Sequence, residues 1–143
     1  MNRFGFFSAI PALIGFWLIV GLLFLLAGCQ RTLAPTDELM ISNSVDLVSV
    51  LAKLPPGSPD IRYNTDPNWP IAAEANCADW SITFNYRVAA TRPMFVIEKV
   101  VPHEIAHLVS CYYRGSTDAR TGDSHDEYWR QWVIRLGGDP NYI

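Results

Sequence analysis

No run of lysine or arginine occurs anywhere in this chain. Its 11 basic residues are outnumbered by 14 acidic ones, giving a net charge of −3. A duplex nucleic acid partner leaves a basic patch or stripe on a protein. That footprint is missing, and no nucleic acid is expected as a partner. Internal repeats and low-complexity segments are missing too. With 143 residues the chain has room for one small domain and one modest core. Histidine is scarce: His103, His107 and His125 are the only three. Charge is absent from the whole stretch 4–28, with only Arg3 and the terminal amine ahead of it.

That uncharged stretch of 25 residues is long enough to cross a bilayer, which takes about 20 apolar residues. A basic start, an apolar run and small residues at its end form the secretory pattern. A cleaved signal peptide, a lipoprotein signal and a retained single-span anchor all fit. The run closes on Leu26-Ala27-Gly28-Cys29, which resembles a bacterial lipobox, and Cys29 is the expected lipidation site. Lipid anchoring needs two or more acyl chains to be stable, and a lipoprotein has them. Arg3 favours the cytoplasmic side, so the body of the chain is expected outside the cytoplasm, on a membrane. Assigning Cys29 to lipid leaves Cys77 and Cys111. Outside the cytoplasm they can pair as a disulfide; two buried thiols, or Cys111 as a spare zinc ligand, are the other readings.

Removing residues 1–28 leaves 10 basic and 14 acidic residues, a balance of −4. Residues 29–36 read as a tether closed by Pro35, and 37–143 as the folded domain. Asn43 or Ser44 can cap a helix carrying Val45, Val48, Leu51 and Leu54, stopped by Pro55-Pro56-Gly57. A proline-rich loop follows, with a short strand expected at 61–63. From Trp80 to Val88 apolar and polar residues alternate strictly, which predicts one strand with a buried face. Pro93 suits a first helical turn. Ile97, Val101, Ile105, Leu108 and Tyr112 then keep helical spacing up to Gly115, with Pro102 set to kink or restart the helix. Ser124 and Glu127 have the spacing of a capping box. They open a last helix with Trp129, Trp132, Val133 and Leu136 in a stripe, ended by Gly137-Gly138 and Pro140.

His103-Glu104-Ile105-Ala106-His107 is HExxH. Residues four apart on a helix lie one above the other, so both imidazoles reach one zinc ion at about 2.0–2.1 Å. Glu104 stands beside the open metal position, where it can take a proton from bound water and return it to a leaving amine. The apolar flanks imply a buried helix, in which two imidazoles and a carboxylate need polar partners or a metal. A catalytic zinc takes three protein ligands. His125 is favoured as the third, because it shares the inward stripe of the last helix with Trp129. Glu127 is the rival, but it lies two positions on and so on the far side. Asp126 can orient a histidine or simply place a charge at a helix N-terminus. Tyr112, Tyr113, Tyr128 and Tyr142 are available to an oxyanion, and the sequence does not choose among them. The Trp80–Val88 strand can line the cleft and pair with an extended substrate.

Val100-Val101-Pro102-His103-Glu104-Ile105-Ala106-His107-Leu108 and His125-Asp126-Glu127-Tyr128-Trp129 resemble the SprT-like zincin family, with Asn76–Asn85 in support. The resemblance implies zinc held by His103, His107 and His125, and Glu104 as the catalytic residue. In that family the third ligand commonly sits in His-Gly-x-x-Trp; here Asp126 stands at the glycine position. Many members carry a four-cysteine zinc ribbon at the C-terminus, and residues 130–143 contain no cysteine. Several act near DNA, a setting that an acidic, membrane-held domain does not share. The expectation is a small α+β zincin-like domain: N-terminal helix, short β-sheet, HExxH helix, closing helix. Its expected activity is zinc-dependent hydrolysis of protein or peptide substrates. A silent zinc-binding lipoprotein that holds a partner is the alternative, and a membrane-inserting protein worked by residues 4–28 leaves the HExxH unexplained.

Overall fold

The computed structural model of the chain describes residues 31–54, 58–115 and 125–142. The apolar run 4–28 and Cys29 lie outside them. Among the described residues no helix is long and apolar enough to cross a membrane.

Helix α1 spans Pro35–Leu51. It starts well ahead of the expected cap at Asn43 or Ser44, so both are interior residues and the end of the expected tether is helical. Proline at the first helical position and Asp37 and Glu38 in the first turn are the start signals that act here. Ile41, Val45, Val48 and Ala52 form its buried face. The helix stops at Lys53, whose φ of 54° is left-handed. Leu54 N–H donates to Ser49 O and Lys53 N–H to Val50 O, closing a Schellman turn. Pro55, Pro56 and Gly57, expected to stop the helix, lie outside the described residues.

Strands β1 (Asp60–Asn64), β2 (Ala73–Asn76) and β3 (Ser81–Asn85) form a sheet in the order β1-β3-β2. β1 runs parallel to β3, with Ile61 opposite Ile82, and β2 runs antiparallel to it, with Ala75 opposite Ile82. The expected strand Trp80–Val88 therefore ends at Asn85. The physical reason is the Asn85 side chain. Its Oδ1 accepts from Arg87 N–H at 3.0 Å and Val88 N–H at 3.3 Å, while its Nδ2 donates to Trp69 O and Ile71 O. A buried asparagine holding two helical amides caps a new helix, and α2 (Tyr86–Thr91) follows.

The chain turns at Arg92 into α3 (Pro93–Phe95), a π-helical stretch Val96–Val100, and α4 (Val101–Arg114). Pro102 has no N–H to offer Glu98, and its ring crowds that carbonyl. The wider turn accommodates this: Val101 N–H reaches back five residues to Val96 O. The helix restarts there, as Pro102 suggested, and ends at Gly115 with φ 65°. Helix α5 (Glu127–Arg135) is capped by Asp126, whose carboxylate accepts from Trp129 N–H at 2.9 Å. That displaces the expected capping box, since Glu127 instead accepts from Gln131 at 3.2 Å and Ser124 lies outside the described residues. At the far end, a Cβ on Gly138 would meet Pro102 Cβ at 2.8 Å, so the chain after α5 presses directly on the start of α4. Helix α4 thus has α1, β2 and α5 as neighbours. Its Ile105, Ala106, Leu108 and Val109 are fully buried with Phe84, Ile82, Trp129 and Val133. This makes a small α+β domain whose most enclosed helix carries the HExxH.

Candidate metal centre

His103 and His107 lie one turn apart on α4, and their Nε2 atoms are 3.2 Å from each other. His125, the residue before the cap of α5, brings its Nε2 to 3.2 Å from both. The result is an equilateral triangle of nitrogens drawn from two segments. Burial holds all three rings in the neutral state. It drives His107 down to about 3, with the neighbouring charges of His103 and His125 adding to the effect. It drives His103 down to about 4, aided by His125, and lowers His125 as well.

Hydrogen bonding alone does not satisfy this triangle. In a neutral imidazole each ring nitrogen is either a donor or an acceptor. Three such atoms in mutual contact leave at least one edge pairing donor with donor or acceptor with acceptor. A tetrahedral metal ion meets all three at once. Bonds of about 2.0–2.1 Å at the tetrahedral angle separate ligand atoms by about 3.3–3.4 Å. The three separations of 3.2 Å fall within about 0.2 Å of that. Among the described residues, these three form the group of potential ligands close enough to hold a metal ion.

Trp129 is the floor of the site. It is fully buried and lies with ring centroids 4.8, 5.4 and 4.3 Å from those of His103, His107 and His125. Its Nε1–H donates to His103 O at 3.3 Å. Its spacing of four from His125 is the sequence signal that goes with this position. His103 Nδ1 makes no hydrogen bond of strict geometry. The backbone of Tyr142 nevertheless lies close enough to raise the ring's basicity, which is how a carbonyl behaves behind a metal-binding imidazole.

Glu104 is buried, and its carboxyl is pushed up to about 8 by desolvation, with the Glu74 charge adding and a backbone hydrogen bond from Ala75 opposing. That bond places the carboxylate against β2. Strand β3, expected to receive an extended substrate, is paired on both sides and has no free edge; β1 and β2 are the edge strands, and β2 is the one packed beside α4. Asp126 orients no histidine by hydrogen bond. It caps α5 and forms an ion pair with Arg114, so it joins the end of α4 to the start of α5. Glu127 is exposed and turned away, bonded to Gln131. Cys77, after β2, and Cys111, one turn beyond His107, are joined as a disulfide with Cα atoms 6.0 Å apart. Cys111 is therefore not a metal ligand, and α4 is tied covalently to the β2–β3 turn. Tyr112 packs edge-on against Trp80, Tyr113 donates to Lys53 O, Tyr128 sits under Arg114, and Tyr142 packs on Phe95. Tyr142 also reaches His103 through its backbone.

Comparison with protein-family models finds the SprT-like family over residues 58–142. No curated protein and no solved structure matches the chain.

Proposed function

We propose that this chain, which belongs to the SprT-like family, is a zinc-dependent peptidase held to a membrane by its N-terminus. The observation that carries the reading is the neutral imidazole triangle of His103, His107 and His125 with a buried carboxyl, Glu104, in the same helical turn. Imidazole donors at tetrahedral spacing suit zinc. Bound there, zinc supplies a Lewis acid for a scissile carbonyl and lowers the pKa of water.

The chain's own residues do the rest. Trp129 and the Tyr142 backbone fix the rings so that each Nε2 points inward. Glu104 moves the proton: next to His103 in the same turn, its carboxylate accepts a proton from water and gives it up to the leaving amine. Ala75 N–H holds that carboxylate in place, and β2 offers the sheet edge along which an extended polypeptide can add. The uncharged stretch 4–28, ending at Cys29, supports the tether, with Cys29 as the acylated residue. The Cys77–Cys111 disulfide supports an oxidising compartment outside the cytoplasm. Nothing in the charge distribution supports a nucleic acid partner.

The test uses the full chain in lipid vesicles, with an unfolded protein as substrate. Glu104→Gln should keep one equivalent of zinc and lose about 10²–10⁴-fold in rate, the usual contribution of a general base. His107→Ala should lose the metal, and a chelator should silence the wild type. Equal background cleavage by wild type and Glu104→Gln, both metal-loaded, would overturn the peptidase and leave a zinc-binding lipoprotein acting as an interaction module.

A further inference from the structure

Helix α1 is apolar on two sides. One side is the core face. The other carries Leu39, Met40, Leu47, Val50 and Leu51, which are 45–73 % exposed. At 100° per residue these five fall within an arc of about 120°, broad enough for an amphipathic face. Thr36 and Asn43 are the polar residues inside that arc. Elsewhere the exposed large apolar residues, Ile71, Met94, Tyr112, Tyr113 and Ile134, stand singly or as an adjacent pair on other elements. An isolated apolar residue at a surface needs no explanation, but a contiguous stripe does.

The position of the stripe in the chain names its occupant. Pro35, the first residue of α1, is six residues after Cys29. A chain extends at most about 3.3–3.6 Å per residue, so a lipid on Cys29 keeps the start of α1 within about 20 Å of the bilayer. A retained span ending at Gly28 adds one residue to that reach. We infer that α1 lies in the membrane interface, with Leu39, Met40, Leu47, Val50 and Leu51 among the acyl chains and the buried face turned to the domain. The inference rests on the membrane tether proposed above. The contact is apolar rather than electrostatic, because α1 carries Asp37, Glu38 and Asp46 and no basic residue. Lying there, the helix holds the domain in one orientation on the surface, and the SprT-like core then works on substrates at the membrane.

The experiment places the full chain in phosphatidylcholine vesicles that contain a lipid with a photoactivatable group deep in its acyl chain. Trypsin cuts after Arg31 and Lys53, so α1 is recovered within the single peptide Thr32–Lys53. After illumination that peptide should carry label and Tyr63–Arg87, from the sheet, should not. A chain with Leu39→Ser, Leu47→Ser and Val50→Ser should lose the label while keeping its bound zinc and helical signal. Adding phosphatidylglycerol should leave labelling unchanged or lower it; a salt-sensitive rise would overturn the apolar contact. A wild-type chain that resists alkaline washing but carries no label on Thr32–Lys53 overturns the inference alone. Cross-linked pairs joined through α1 without lipid label overturn it too and assign the stripe to a second copy of the chain. A chain stripped from the vesicles by the wash overturns the tether itself.

Discussion

Stripping the metal should give a protein whose stability peaks near pH 6.5 and declines on both sides. His103 and His107 have folded values of about 4 and about 3, below the usual 6.5. A depressed value favours the folded state at high pH, and that stability is lost as pH falls from about 6.5. Glu104 works in the opposite sense, because burial raises it from 4.5 to about 8. Its contribution is complete below 4.5 and disappears as pH rises through about 8. Between those limits the protons can be counted. From about pH 4.5 to 6.5 the unfolded chain holds two protons, on the histidines, and the folded chain one, on Glu104. Stability therefore rises by about 1.4 kcal/mol per pH unit. From 6.5 to 8 the unfolded chain holds none and the folded chain still one, so about 2 kcal/mol is lost across that interval. His125, also lowered by burial, steepens the acid side. Asp79 and Asp126 sit below the usual carboxylate range and Tyr63 is pushed up to about 12, so they act outside this window. The assay is thermal or urea unfolding of the metal-free chain from pH 5 to 8.5, beside Glu104→Gln. Glutamine cannot titrate, so the variant should be flat above 6.5 and roughly twice as steep below it. A wild type that gains stability from 6.5 to 8, or a variant with the same alkaline decline, would refute the reasoning.

Reducing or removing the Cys77–Cys111 link, which closes a separation of 34 residues, should cost about 3.8 kcal/mol in the chain-entropy account, read as a shift of the unfolding midpoint between oxidised and reduced protein. Trp129→Phe removes the donor to His103 O and narrows the floor under the rings; zinc affinity measured by chelator competition should fall about 10–100-fold. Asp126→Ala removes both the cap on Trp129 N–H and the partner of Arg114, and should lower stability by about 1 kcal/mol while weakening zinc binding. Arg114→Ala should weaken zinc binding without the loss of the cap. Gly138→Ala sets a methyl against Pro102 and Val133 at 2.8 Å, and the overpacking should cost about 1–3 kcal/mol in a melting experiment.

The candidate metal centre is legible in the sequence because its geometry is local. Two imidazoles four apart on one helix face one another whatever the fold around them. His125 could be chosen over Glu127 because it shares the inward stripe with Trp129. Sequence and structure part where two local signals compete. Nine alternating residues read as one strand, but the alternation of Tyr86 and Val88 also fits a single helical turn, and only the side-chain bonds of Asn85 decide between them. Pro35 read as the end of a tether, when its fixed φ is equally suited to opening a helix. Strand β2 was invisible: Ala73-Glu74-Ala75-Asn76 has weak strand preference and is held extended by its pairing with β3. The floor role of Trp129 was hidden for a different reason, since a tryptophan on an apolar stripe looks the same whether it supports a core or three ligands.

The bond between Cys77 and Cys111 also outlives the fold. When the domain melts in its oxidised form, strand β2 stays leashed to the helix that carries His103 and His107. A short flexible leash keeps two segments at an effective concentration on the order of millimolar. Recovery of the packing of β2 on α4 is then a search within one small loop, and a molecule opened by heat or denaturant rebuilds it without drawing the two from distant chain.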